Sequence, residues 1–315
     1  MKTRRFFKFI IAGFIFFSLF CGSVSALDRL NADMVDFTSL SMNYPVILVH
    51  GIAMTDQKLV FSSWGKIPDI LKEYGVDVYM GNTDAWGSIA SNAEIIKNTI
   101  DTVLNDTGKK KVNIIAHSKG GLDSRMMIWK YNYGDKVASL TTVSTPHHGS
   151  MVADLVQSAK PLHTKAVKRS LEVLGKIYND MYPDAYSASY ELTTGSMKEF
   201  NKTVIWDDRV FFQSIYSTMT NVSDDPFFAS GFLYLKRVEG DNDGLVSEYS
   251  TRWGKNIIKV DAALSHGQII DFTGKNPIEI EIPLPIVDPP KKSRPSPGIH
   301  NLYLKILKDL SHRGF

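Results

Sequence analysis

The sequence predicts an α/β architecture, a mainly parallel sheet covered by helices on both faces, and three observations lead there. From Tyr44 onward short β-branched runs alternate with longer helical patterns. An apolar run at residues 112–115 ends in a serine among very small residues and then gives way to a helical pattern. Hydrophobic residues make up 43% of the 315, enough to bury a sizeable core.

The expected strands are residues 46–49, 76–79, 112–115, 140–144, 210–215, 232–238 and 257–260. Between the second and third, Ala93, Ile96, Ile100 and Val103 fall on one face of a crossover helix at 91–104. The stretch 150–202 breaks the rhythm. It has no strand-like run, and Val167, Leu171, Leu174, Tyr178 and Met181 form an apolar stripe at helical spacing, which reads as a helical cap insertion. Residues 276–298 are proline-rich, carry Lys291, Lys292 and Arg294, and read as an exposed excursion before a final helix at 300–310.

The first residues differ in kind. Met1, Lys2, Arg4, Arg5 and Lys8 precede an apolar run at 9–20 and the small-residue stretch Val24-Ser25-Ala26, the pattern of a signal peptide spanning 1–26. The run is about a dozen residues, against about 20 for a membrane span, so no stable transmembrane anchor is expected. Cleavage after Ala26 yields a secreted, extracellular domain at 27–315 without cysteine, because Cys21 is the only one. A lipid-modified Cys21 is disfavoured by bulky Phe20 before it. With 36 basic and 33 acidic residues, the formal charge of +3 is too balanced for a nucleic-acid partner.

The run Val112-Asn113-Ile114-Ile115-Ala116-His117-Ser118-Lys119-Gly120-Gly121 carries the chemistry. A strand, a tight turn at a serine and a helix make a nucleophile elbow, the mark of the α/β-hydrolase fold. Ala116 and Gly120 are small because the turn brings them together beneath Ser118. The helix start below the serine favours developing negative charge. The run 45–52 is an earlier strand ending in His50-Gly51, where this fold supplies an oxyanion donor. The expected donors are the backbone N–H groups of Ile52 and Lys119. The Lys119 side chain is expected as a solvated charge, His50 as a structural pin of its turn, and His117 as pointing away from the serine.

A serine hydroxyl needs a base, and the base a carboxylate to orient it. In this fold the order is Ser, acid, His. Asp241 and Asp243 share a turn in 239–247; Asp243, just before Gly244-Leu245-Val246, is preferred and Asp241 is the alternative acid. His266 is the base, alone between the acid turn and the proline-rich stretch. His147, His148 and His163 precede the acid, while His300 and His312 belong to the last helix or follow it.

With these residues in hand, the chain resembles the bacterial true lipases, the Pseudomonas and Burkholderia type with staphylococcal and Bacillus relatives. Four runs carry the resemblance: Leu48-Val49-His50-Gly51-Ile52, Ala116-His117-Ser118-Lys119-Gly120-Gly121-Leu122, Ser144-Thr145-Pro146-His147-His148-Gly149-Ser150 and Asn242-Asp243-Gly244-Leu245-Val246. The resemblance implies Asp243 over Asp241 as triad acid, and alanine at the elbow's first position is similar to the Bacillus members. It implies a triacylglycerol substrate met at an oil–water interface, with a carboxylesterase on small soluble esters as the alternative. A non-catalytic binding protein on the hydrolase scaffold is the rival from another class. Pseudomonas-type relatives hold a structural calcium between an aspartate in an Asp-Pro run and a second aspartate two residues after the triad histidine. Here Asp225-Pro226 resembles the first, but Gln268 stands at the second, so no tight calcium and no other cofactor is expected.

Overall fold

The computed structural model describes residues 40–56, 63–158, 185–272 and 297–315. The expected signal peptide, His163, the apolar stripe from Val167 to Met181 and residues 276–296 of the proline-rich stretch lie outside the described residues. In chain order the elements are β1 (Val46–Val49), α1 (Ile67–Glu73), β2 (Val78–Met80), α2 (Ile89–Thr107), β3 (Val112–His117), α3 (Lys119–Tyr131), β4 (Val137–Val143), α4 (Met151–Ser158), α5 (Ala185–Tyr190), α6 (Thr194–Thr203), β5 (Phe211–Tyr216), α7 (Ala229–Val238), α8 (Glu248–Thr251), β6 (Asn256–Lys259) and α9 (Pro297–His312).

The strands form one parallel sheet in the order β2-β1-β3-β4-β5-β6. Every residue of β1, β3 and β4 is buried, as a sheet covered on both faces requires. Alternate side chains feed two cores. Val46 and Leu48 of β1 join Leu71 of α1 and Tyr303 and Leu307 of α9, whereas Ile47 and Val49 join Ile96 and Ile100 of α2 and Met127 of α3.

Helix α2 presents the predicted stripe of Ala93, Ile96, Ile100 and Val103 to the second core. It starts where the Ser88 hydroxyl accepts the Ser91 N–H at 3.1 Å and stops at Gly108, whose φ of 66° suits a residue without a Cβ. Helix α9 begins at Pro297, earlier than expected, with proline in the helical position that needs no N–H donor.

Residues 232–238, expected as a strand from their large apolar side chains, are instead the body of α7. Phe232 and Leu235, three apart, are buried, while Leu233 between them is 55% exposed, which is helical and not alternating spacing. The helix lies so close to the acid turn that a Cβ on Gly231 would sit 2.0 Å from the Gly244 carbonyl oxygen. The turn bearing Asp241 and Asp243 therefore follows a helix.

From β1 the chain first adds β2 on one side and then β3 on the other. Loops leaving the carboxyl ends of β1 and β3 diverge at such a reversal and open a crevice. The His50-Gly51 turn leaves β1, and Ser118 leaves β3, at this crevice. Among the described residues no helix is long and apolar enough to cross a membrane.

Candidate active site

Ser118 joins β3 to α3 with φ 52° and ψ −129°, a conformation that costs a residue with a side chain and persists only where the surroundings enforce it. The enforcement is visible. The Ser118 N–H donates to the Val143 carbonyl at 2.9 Å. A Cβ at Gly120 would lie 2.4 Å from the His50 carbonyl oxygen, so the start of α3 can pack on the end of β1 only as glycine. Ala116 is fully buried between Val49 and Thr142 of the flanking strands.

The structure brings the three predicted side chains together. The Ser118 hydroxyl lies 2.9 Å from Nε2 of His266, and Nδ1 of His266 lies 2.8 Å from Oδ2 of Asp243. A carboxylate only accepts, so Nδ1 carries the proton and the Nε2 lone pair faces the serine. The other Asp243 oxygen accepts the N–H groups of Leu245 at 3.0 Å and Val246 at 2.8 Å, which fixes the carboxylate plane. The His266 N–H donates to the Asp243 carbonyl at 2.9 Å, so the acid turn holds backbone and ring of the histidine together. All three residues are buried.

His117, next to the serine, turns to the histidine loop instead: its Nε2 donates to the His266 carbonyl at 3.0 Å, and the two rings stand 4.6 Å apart. Burial, and then the neighbouring His266, hold its pKa well below the usual imidazole value. His50 is pinned as expected, with Nδ1 2.8 Å from the Gly51 carbonyl oxygen and Nε2 2.9 Å from that of Thr83.

Gly51 touches Ser118, since a Cβ there would meet the Ser118 Cβ at 2.7 Å. Ile52 is the next residue in the chain. Lys119 opens α3, and a first helical N–H has no intrahelical acceptor.

One expected detail changes, and two further residues find their partners. The Lys119 side chain is not solvated: it is 1% exposed, and its Nζ donates to Asp123 Oδ1 at 2.7 Å. Asp241 does not reach the histidine; its carboxylate takes Lys236 at 2.5 Å on the surface, and Lys236 lowers its pKa. The Asp225 region does not fit a hard cation. One Asp225 oxygen accepts the Ser265 hydroxyl at 2.6 Å, while Gln268 accepts the Ser265 N–H at 3.0 Å and donates to the Asp224 carbonyl at 2.8 Å. An amide donor thus points where a second carboxylate is needed.

Sequence reading passed over Asp123 and Asn92, both buried behind the elbow. The spacing of Lys119 and Asp123, four residues apart on a helix, was the available signal. It also passed over Arg125, which reaches His147 Nδ1 at 3.1 Å and lies 3.7 Å above the Trp253 ring.

A family model described as palmitoyl protein thioesterase matches residues 45–206. The triacylglycerol lipase of Pseudarthrobacter phenanthrenivorans is 30% identical over 277 aligned residues, covering 70% of this chain and 86% of that protein. The triacylglycerol lipase of Burkholderia plantarii is likewise 30% identical over 277 residues, covering 70% and 77%. The mature form of the Bacillus licheniformis lipase BlEst2 is similar with a TM-score of 0.55 at 22% identity, over 77% of this chain and 90% of that one. A metagenomic carboxyl esterase reaches a TM-score of 0.66 at 15% identity, over 89% and 80%. The likeness to these two structures is one of fold.

Proposed function

The chain belongs to the bacterial true lipase family of α/β-hydrolases, which are ester hydrolases, and from that premise we propose that it cleaves lipid esters, triacylglycerols first among them, through an acyl-enzyme on Ser118. The observation that supports this reading is the unbroken line of hydrogen bonds from the Ser118 hydroxyl through His266 to Asp243, at 2.9 and 2.8 Å. Ser118 Oγ attacks the ester carbonyl carbon while Nε2 of His266 takes its proton. The carbonyl oxygen becomes an oxyanion between the N–H groups of Ile52 and Lys119. His266 then hands the proton to the departing alcohol, leaving the acyl group on Ser118. Water repeats the sequence and releases the acid. Asp243 holds and orients the imidazolium through Nδ1.

The experiment is reaction with a fluorophosphonate. A stoichiometric adduct on Ser118 is expected, lost in Ser118→Ala together with turnover of a p-nitrophenyl ester. A chain that takes no label, or a Ser118→Ala variant with parental turnover, would return the molecule to the non-catalytic reading. A thioester substrate is a second reading, favoured by the family model over residues 45–206, since the same hydroxyl, base and oxyanion donors serve a thiolate leaving group. A panel of tributyrin above and below its solubility limit, a soluble acetate ester and a palmitoyl thioester separates the three. A rate jump at the solubility limit marks the lipase, and its absence marks the carboxylesterase.

Export follows in this proposal from residues 1–26, with the mature chain expected to start at Leu27. N-terminal sequencing of protein recovered from culture medium tests it. Residues 150–202 are proposed as the cap over the crevice, with helices α4, α5 and α6 as its described parts.

A further inference from the structure

The two proposed oxyanion donors stand on different elements, Ile52 after β1 and Lys119 at the head of α3. An oxyanion hole works only if both N–H groups stand in place before charge develops, so something must set one loop against the other. Behind the elbow runs a buried chain of polar side chains that the reaction does not use. Lys119 Nζ donates to Asp123 Oδ1 at 2.7 Å, and Asp123 Oδ2 accepts Asn92 Nδ2 at 3.0 Å. Asn92 grips the backbone of Asp84 on both sides, donating to its carbonyl and accepting its N–H, each at 3.0 Å. The same short segment holds the other donor loop. The Ala85 carbonyl accepts the Ala53 N–H at 2.8 Å, and the Thr83 carbonyl lies 2.9 Å from His50 Nε2.

We infer that Asp123 and Asn92 are positioning residues, a brace that runs from α3 through residues 83–85 to the Ile52 loop and fixes the spacing of the two oxyanion donors, with the Lys119 ammonium serving only as the counter-charge of Asp123. The inference rests on the proposed acyl-transfer reading. Its members are among the least accessible polar groups described: Lys119 and Asp123 are each 1% exposed and Asn92 is 2% exposed. A buried ion pair is weak evidence for stability, because apolar replacements of similar size are commonly tolerated as well or better. The hydrogen bonds of Asp123 to Asn92 and of Asn92 to Asp84 join the two loops, and that link has a task other than stability.

Two double variants of the full chain separate the tasks. Lys119→Met with Asp123→Asn removes both charges but keeps an oxygen for Asn92 to donate to. Lys119→Met with Asp123→Leu removes the charges and the link. The readouts are Tm, kcat and KM on a soluble p-nitrophenyl ester, and the second-order rate of fluorophosphonate labelling at Ser118. The first variant is expected to stay within about threefold of the parent, and the second to lose about tenfold to a hundredfold in kcat and in labelling rate at unchanged KM. Should the second variant fail to fold, Asn92→Ala cuts the link from the other end and must show the same loss. Parental kcat in the unlinked variant, or equal losses in both double variants, would overturn the brace. A parent chain that takes no label at Ser118 would overturn the acyl-transfer reading itself, and the brace with it.

Discussion

Two buried imidazoles in this molecule sit in matching frames with opposite outcomes. His266 lies between a hydroxyl, Ser118, and a carboxylate, Asp243. His147 lies between a hydroxyl, Thr142 at 3.0 Å, and a guanidinium, Arg125 at 3.1 Å. A guanidinium only donates, so Nδ1 of His147 must accept and its Nε2 carries the proton toward the hydroxyl. At His266 the carboxylate reverses this and leaves a lone pair on the serine. Burial, and then Arg125, hold the His147 pKa well below its usual value. Burial also pulls the Arg125 pKa down to about 9, which leaves it charged at neutral pH. A hydroxyl beside a histidine is therefore no sign of a base; the sign of the third group decides.

Asp243→Asn breaks the comparison most severely. The new amide can donate to Nδ1, which would turn His266 into the tautomer of His147 with its proton aimed at Ser118. A fall in kcat of about 10⁴ is expected with the fold intact, by steady-state assay and circular dichroism. A variant near parental activity would mean that the carboxylate does not set the tautomer.

Thr142→Val makes the matching cut at the other imidazole. It strands a buried N–H donor and should cost about 1–3 kcal/mol in urea unfolding while leaving kcat unchanged. An equal loss of turnover would show that the Arg125 cluster feeds the site after all.

The histidines held neutral also set a pH dependence. His117 and His147 have folded pKa values below the 6.5 of the unfolded chain, so the unfolded state binds more protons in acid. Stability is then fully present above about pH 6.5 and falls below it, by up to about 1.4 kcal/mol per pH unit for each histidine. His147→Gln should flatten the slope between pH 6.5 and 5.5, and an unchanged slope would remove His147 from the account.

The smallest effect concerns what anchors each ring. His147 lies four residues past the end of β4, whereas the His266 loop is tied to residues 224 and 225 through Ser265 and Gln268. Those ties need no metal, so EDTA is expected to leave Tm unchanged. A clear fall in Tm would place a cation at Asp225.

The sequence by itself determined what short-range chemistry encodes. Short β-branched runs marked β1, β3 and β4, period-3.6 patterning marked α2, and the small residues around Ser118 marked the elbow, because a tight turn excludes side chains whatever surrounds it. Chain order and exclusion singled out His266. Tertiary structure alone decided which surface each ambiguous segment met. The run 232–238 has the composition of a strand, yet packing buries Phe232 and Leu235 and leaves Leu233 exposed, the spacing of a helix. Asp241 and Asp243 share one turn, and although the run after Asp243 favoured it as the acid, it is the fold that sends Asp241 to surface lysines and Asp243 to an imidazole. Lys119 looks solvated until Asp123 and Asn92 close over it. The reason is distance along the chain: Ser118 and His266 are 148 residues apart, and burial or partnership at that separation is a property of how segments pack, not of any one of them.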